Sequence, residues 1–161
     1  MKKKIFFLPC FFLLLSLFLP GCRRGPAVSF PSETAFFAEA ILSDTPVRAE
    51  VRLSASGGSR FVILYPASLA GTAFIRREDG RVFAERDGQI VPLPGGHPFF
   101  SSADCFMGAA GGSLSPVRNE DGWLLRGETP EGDCCARFSS SGELLGFSGP
   151  GFSLTVKERL P

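Results

Sequence analysis

Few side chains in this sequence have the chemistry for catalysis. His97 is the only histidine, and the thiols are Cys10, Cys22, Cys105, Cys134 and Cys135. A single histidine excludes a multi-histidine metal site, and His97 lies in a Gly-Gly-His-Pro stretch where a solvated loop role is expected. Cys105 sits among Phe106, Met107 and alanines, the setting of an inert buried thiol, whereas a reactive one needs an electropositive, partly exposed site. No GK[ST] phosphate loop is present, and Gly57-Gly58, Gly95-Gly96 and Gly111-Gly112 lack the preceding strand and following helix that nucleotide binding requires. The expectation is a protein that is not an enzyme, with no metal and no cofactor.

The chemistry left to the cysteines is acylation and oxidation. Lys2, Lys3 and Lys4 precede a nearly unbroken apolar run from Ile5 to Leu19, the layout of an export signal. As a helix that run would reach about 24 Å by Gly21, short of the roughly 30 Å hydrocarbon core. The run ends in Leu19-Pro20-Gly21-Cys22, which resembles the lipobox of bacterial lipoproteins, with Pro20 departing from the usual small or hydroxyl residue. That resemblance implies a signal peptide over residues 1–21, cleavage before Cys22, and a diacylglyceryl group on the Cys22 thiol with fatty acyl chains such as palmitate. The other reading is an uncleaved anchor with Cys22 free; both place the rest of the chain outside the cytoplasm, at the cell membrane.

Loss of residues 1–21 removes three lysines and no acidic residue, leaving 14 basic and 16 acidic residues and a net charge of −2. With Lys157 then the only lysine, there is no electrostatic footprint for nucleic acid. Arg23 and Arg24 beside the lipidated residue would each add about 1 kcal/mol of attraction to anionic headgroups, or else are ordinary solvated charges of a tether over residues 22–31. Residues 32–161 suffice for one domain and are too few for two.

In an oxidising compartment Cys105, Cys134 and Cys135 form an odd set. Adjacent strand residues face opposite ways, so only one of Cys134 and Cys135 can face Cys105. A Cys105 disulfide with Cys134 or Cys135 would close a loop of about 30 residues and contribute about 3 to 4 kcal/mol. Three unpaired thiols are the alternative.

The elements that must position these groups are mostly strands. Ser32 as a cap, Glu33 in the first turn, and Phe36, Phe37, Ala40 and Ile41 at helical spacing predict a helix over Ser32 to Leu42. The period then becomes two, with Val47, Ala49, Val51, Leu53 and Ala55 on one face. Arg60 to Tyr65, Thr72 to Arg77, Arg81 to Arg86 and Gln89 to Leu93 follow as strands of a meander, punctuated by Asp79-Gly80 and Asp87-Gly88 hairpin turns. Phe99 to Ala110 suits a short helix, and Trp123 to Glu128, Cys134 to Ser139, Leu144 to Gly149 and Phe152 to Arg159 complete the strands. The class is mainly β (α+β).

This order resembles the bacterial lipoprotein carrier and receptor family that includes the outer-membrane lipoprotein carrier protein. The resemblance rests on the Ser32 to Leu42 helix, the Val47 to Ala55 strand, the Leu64-Tyr65-Pro66-Ala67-Ser68-Leu69 strand end, the Asp87-Gly88 turn and the Phe138 to Phe147 hairpin. It implies a curved antiparallel sheet or unclosed barrel, with an N-terminal helix and a short central helix, around an apolar cavity for acyl chains.

Twelve phenylalanines remain in the mature chain, and aromatic walls are what an apolar ligand pocket presents. Phe36, Phe37, Phe61 and Phe99 are the expected ligand-binding residues of a non-enzymatic, membrane-anchored module for a lipid or acyl ligand. The alternative is that the rings simply fill the core, in an envelope protein that docks or regulates a protein partner. Anchoring gives the first test: Cys22→Ser should abolish lipid labelling and block processing in cells fed a radiolabelled fatty acid. A fully processed, membrane-bound Cys22→Ser chain would remove the lipoprotein reading.

Overall fold

A computed structural model describes residues 28, 30–56, 58–107, 114 and 116–161. The expected signal peptide, Cys22, most of the tether, and residues 108–110 of the expected central helix lie outside the described residues. Among the described residues no helix is long and apolar enough to cross a membrane.

Two antiparallel meanders make the sheet. The first comprises β1 (Glu33–Leu42), β2 (Thr45–Ser54), β3 (Ser59–Tyr65), β4 (Ala73–Arg76), β5 (Val82–Arg86) and β6 (Gln89–Pro92). Helix α1 (Pro98–Met107) follows, and then β7 (Val117–Asn119), β8 (Gly122–Thr129), β9 (Gly132–Ser139), β10 (Leu144–Gly149) and β11 (Phe152–Arg159). Pairing of β1 with β11 joins the meanders into one 11-stranded, curved and unclosed sheet whose edges are β6 and β7. The mainly β class and the unclosed antiparallel sheet are as expected, and so is the short central helix.

The N-terminal helix is corrected: Glu33 to Leu42 is a strand, and it is the central one, paired along its length with β2 and with β11. Phe36, Ala38 and Ala40 alternate into the core, while Phe37, Glu39 and Ile41 face the other way. The spacing that suggests a helix also fits a strand, because alanine marks the inward face here and gives it little contrast with Phe37 and Ile41. Ser43 and Asp44 both have positive φ, 44° and 69°, the conformation of a two-residue hairpin turn matched to strand twist. Asp87-Gly88 repeats that geometry at 51° and 77°, as its dipeptide predicts.

One face of every long strand is buried. On the concave side β1, β2, β9, β10 and β11 contribute small and aliphatic residues such as Ala38, Ala49, Val51, Ala136 and Leu154, with Phe138 and Phe147 among them. Charged residues of the same strands, among them Arg48, Glu39 and Lys157, point outward, and Lys157 pairs with Glu39 at 2.8 Å.

Within a strand paired on both sides each N–H is engaged by one neighbour or the other, so proline is tolerated only on edge strands, as Pro92 in β6, or at strand ends, as Pro46 at the start of β2. Glu39→Pro should therefore abolish the cooperative melting transition, while Glu39→Thr, which keeps the N–H and loses only an exposed carboxylate, should melt as the parent does. Equal melting of the two variants would place β1 outside the sheet.

Candidate functional site

The concave face carries a cluster of phenylalanines with Phe99 at its hub. Its ring lies 4.9 Å from Phe61, 5.0 Å from Phe100, 5.2 Å from Phe147 and 5.8 Å from Phe152, centroid to centroid. Phe30 extends the cluster to Phe147 and to Phe106 at 5.3 and 5.5 Å. Most of these pairs are tilted or edge-to-face, geometries that aromatic quadrupoles favour. Of the four residues expected to line a cavity, Phe36, Phe61 and Phe99 are each 1% exposed and share this core. Phe37 is not brought to them, since it neighbours Phe36 in a strand and projects from the opposite face.

Helix α1 supplies three rings of the cluster, and local features explain its seat. Pro98 occupies the first helical position, where its missing N–H is no loss, and Nδ1 of His97 accepts a hydrogen bond from the Phe99 N–H at 3.2 Å. His97 is thus a helix cap, not the solvated loop residue expected; its ring lies tilted against Phe74 with centroids 4.5 Å apart, and burial lowers its pKa.

Two strand glycines let the helix approach the sheet. A Cβ at Gly149 would collide with Ser102 Oγ and lie 2.9 Å from the Phe152 ring, and one at Gly127 would lie 2.5 Å from Cys105 Sγ and 3.1 Å from Cys134 Sγ. Isolated glycines inside strands often mark such close approaches, and here they form notches beneath consecutive turns of α1.

On the other flank the helix is tied by charge. Arg76 of β4 is 7% exposed and forms an ion pair with Asp104 of α1. Its guanidinium also donates to the Ser54 carbonyl at 2.6 Å and to Ser59 Oγ at 2.9 Å, and lies 6.0 Å from the Phe100 ring centre. Burial lowers the Arg76 pKa, a cost that Asp104 and the two neutral acceptors offset. The helix therefore spans the concave face from β4 to β8.

Beyond the helix the apolar surface continues. Strand register places Phe36, Val51, Phe61, Phe74, Ala84 and Val91 in one row across β1 to β6. Phe36, Val51 and Phe61 are buried, Phe74 and Ala84 are half-buried, and Val91 is 54% exposed. An apolar track thus leads from the β6 edge to the aromatic cluster over three strand spacings of about 4.8 Å each.

The cysteines divide by face. Cys134 is buried beside Cys105, while Cys135 turns to the opposite face and meets Ser148 Oγ at 3.2 Å. All three are free thiols, and Cys105 is half-buried, more open than expected, with its sulfur 3.7 Å from the Glu128 carbonyl. On the outer face a groove of about 640 Å³ is lined by residues that include Leu124, Arg126, Cys135 and Ser148. Its walls mix charge with apolar surface and do not reach the phenylalanine cluster. Among the described residues no group of His, Cys, Asp and Glu is arranged to hold a metal ion.

No protein-family profile matches the chain, and no curated protein matches it either. Solved structures that align with the chain include the following. An uncharacterized conserved protein from Thermus thermophilus aligns with 19% identity and a TM-score of 0.45, over 79% of this chain and 78% of its own. A LolA superfamily protein from Nitrosomonas europaea aligns with 15% identity and a TM-score of 0.37, over 83% of this chain and 90% of its own.

The hub position sets the next expectation. Phe99→Ala should lose about 3 to 5 kcal/mol in denaturant unfolding, the range for a fully packed phenylalanine, because ring contacts from four neighbours are lost together. Phe37→Ala should lose on the order of 1 kcal/mol, having no share in the cluster. Similar losses at both would mean that the two rings share one environment.

Proposed function

We propose that this chain is a membrane-tethered, non-enzymatic binding module that holds an acyl chain on the concave face of its sheet. Helix α1 is the cover under which the ligand lies. One observation carries the reading: the row of apolar strand residues from exposed Val91 to buried Phe61 and Phe36, flanked at Phe74 by the His97 ring. The outer part of the strip stays exposed, and an acyl chain laid on it would bury apolar surface at about 25 cal/mol per Å². Because the phenylalanine rings already fill the inner end, the ligand enters from β6 and lengthens its contact as the helix lifts. Lipid on Cys22 would hold the module at the outer side of a cell membrane, where acyl chains are the abundant apolar ligands.

The close packing of the phenylalanines favours a second reading, an envelope protein with a filled core that docks a protein partner. Titration of residues 23–161 with a fluorescent fatty acid separates the two. The acyl reading expects saturable binding, co-purified lipid in native mass spectrometry, and affinity weakened about tenfold or more by Val91→Asp, since the carboxylate would have to be desolvated beside the chain. Val91 is exposed, so this substitution should leave stability within about 0.5 kcal/mol of the parent. Absence of saturable binding, or undiminished affinity in the variant, would move the assignment to partner docking.

A further inference from the structure

The helix that covers the concave face touches the sheet through sulfur. Cys105 projects from α1 into the notch above Gly127, and Cys134, cross-strand partner of Gly127, projects into the same notch from β9. The two sulfurs lie 2.5 and 3.1 Å from one point above Gly127. Cys135 is removed from the encounter because it belongs to the other face of β9. Of the three thiols, therefore, one helical and one strand cysteine are placed to react with each other, and the third is not.

We propose that Cys105 and Cys134 form a reversible disulfide that latches helix α1 to the sheet and so controls access to the concave face. The role in access rests on the acyl-binding reading; the bond itself does not. The oxidant is a disulfide supplied from solution. Half-buried Cys105 reacts first: its thiolate attacks one sulfur of the oxidant, the oxidant S–S bond breaks, and the departing thiolate takes up a proton. The Cys134 thiolate then attacks the Cys105 sulfur of the mixed disulfide and releases the second half of the oxidant as a thiol. Two S–H bonds are lost, one S–S bond is formed, and the oxidant is reduced to two thiols.

The environment of Cys134 opposes the second step. Burial, reinforced by the neighbouring Cys105 sulfur, pushes the Cys134 thiol up to about 12. The thiolate is then scarce at neutral pH, and ring closure should quicken by about tenfold per pH unit below that value.

The remaining contacts of the helix suit a latch. Arg76–Asp104 holds the flank toward β4 with Asp104 half exposed, while the flank toward β8 packs around Gly127 and adds hydrogen bonds from Ser101 Oγ to Glu131 and from Cys105 Sγ to the Glu128 carbonyl. A covalent bond at Cys105 would fix a flank that is otherwise held by non-covalent contacts alone. The chain between the two cysteines contains β7, β8 and the turn into β9, so closure constrains a loop of about 30 residues.

The test uses the full chain, extracted in mild detergent and treated with oxidised or reduced dithiothreitol. Three readouts are taken: non-reducing peptide mapping, hydrogen exchange of the 99–107 amides, and melting temperature. Oxidation should yield a Cys105–Cys134 linked peptide, slow exchange of the helix amides at least tenfold, and raise the melting temperature by on the order of 10 °C. Cys135→Ser should reproduce the parent, and Cys134→Ser should lose all three effects. A Cys105–Cys135 linkage, a Cys105 that stays alkylatable after oxidation, or a linked protein with unchanged helix exchange would each overturn the proposal. Fatty-acid uptake, measured on the same samples, should slow on oxidation. A linked, slowly exchanging helix in a chain that never binds fatty acid would refute the acyl reading and leave the latch standing.

Discussion

The ladder between β1 and β11 is the constraint on which the rest of the molecule depends. Each meander builds itself from neighbours in sequence, with turns as tight as Ser43-Asp44 and Asp87-Gly88. Neither could bury its apolar face alone, since a concave surface needs strands on both sides of the residues it encloses. Ala38, Ala40 and Leu154 lie at the seam, and the small side chains of β1 let the sheet bend there while Phe147 and Phe61 converge from either side. The helix can then be covered by rings from both halves. Without the seam, Phe99 would have partners on one side only.

A second dependence runs from the glycines to the helix. Gly127 and Gly149 carry no function of their own, yet they decide how near α1 can come, and that distance decides whether Phe99 and Phe100 interleave with Phe147 and Phe152. Arg76 answers them on the opposite flank. An arginine this buried is costly, and its acceptors come from the β2 carbonyl, the β3 hydroxyl and the helix carboxylate together. Its Nε has no partner among the described residues, so the site is satisfied through the terminal nitrogens alone.

Much of this is legible in the sequence where residue chemistry is unambiguous. Val47 to Ala55 alternates cleanly between aliphatic and charged residues, and Asp-Gly pairs mark the hairpins of the first meander. Strand β1 reads as a helix because its inward residues include Ala38 and Ala40 and its outward ones Phe37 and Ile41, so side-chain hydrophobicity does not separate the two faces. Pairing on both sides then overrides the local preference. Strand β7, with only Val117 to Asn119, is too short to show any period. At the site, Phe36, Phe61 and Phe99 stand out as large apolar groups, but their meeting depends on strand register, which only pairing supplies. Arg76 gives no signal, because a charged residue at a strand end reads as solvated. Gly127 and Gly149 do give one, as lone glycines within strands, but it is masked by the many glycines that serve turns.

The position of β6 has a consequence for solubility. It is an edge strand, and all four of its residues are exposed, Ile90 and Val91 among them. Free backbone donors beside branched apolar side chains make a surface that recruits other strands. Pro92 removes one donor, and the strand is too short to offer a long ladder. The mouth of the apolar track and an adhesive edge of the sheet are therefore the same few residues. A change that widened the track by adding apolar surface at β6 would also favour self-association, so the hydrophobicity of this strand is bounded from above by the need to stay dispersed.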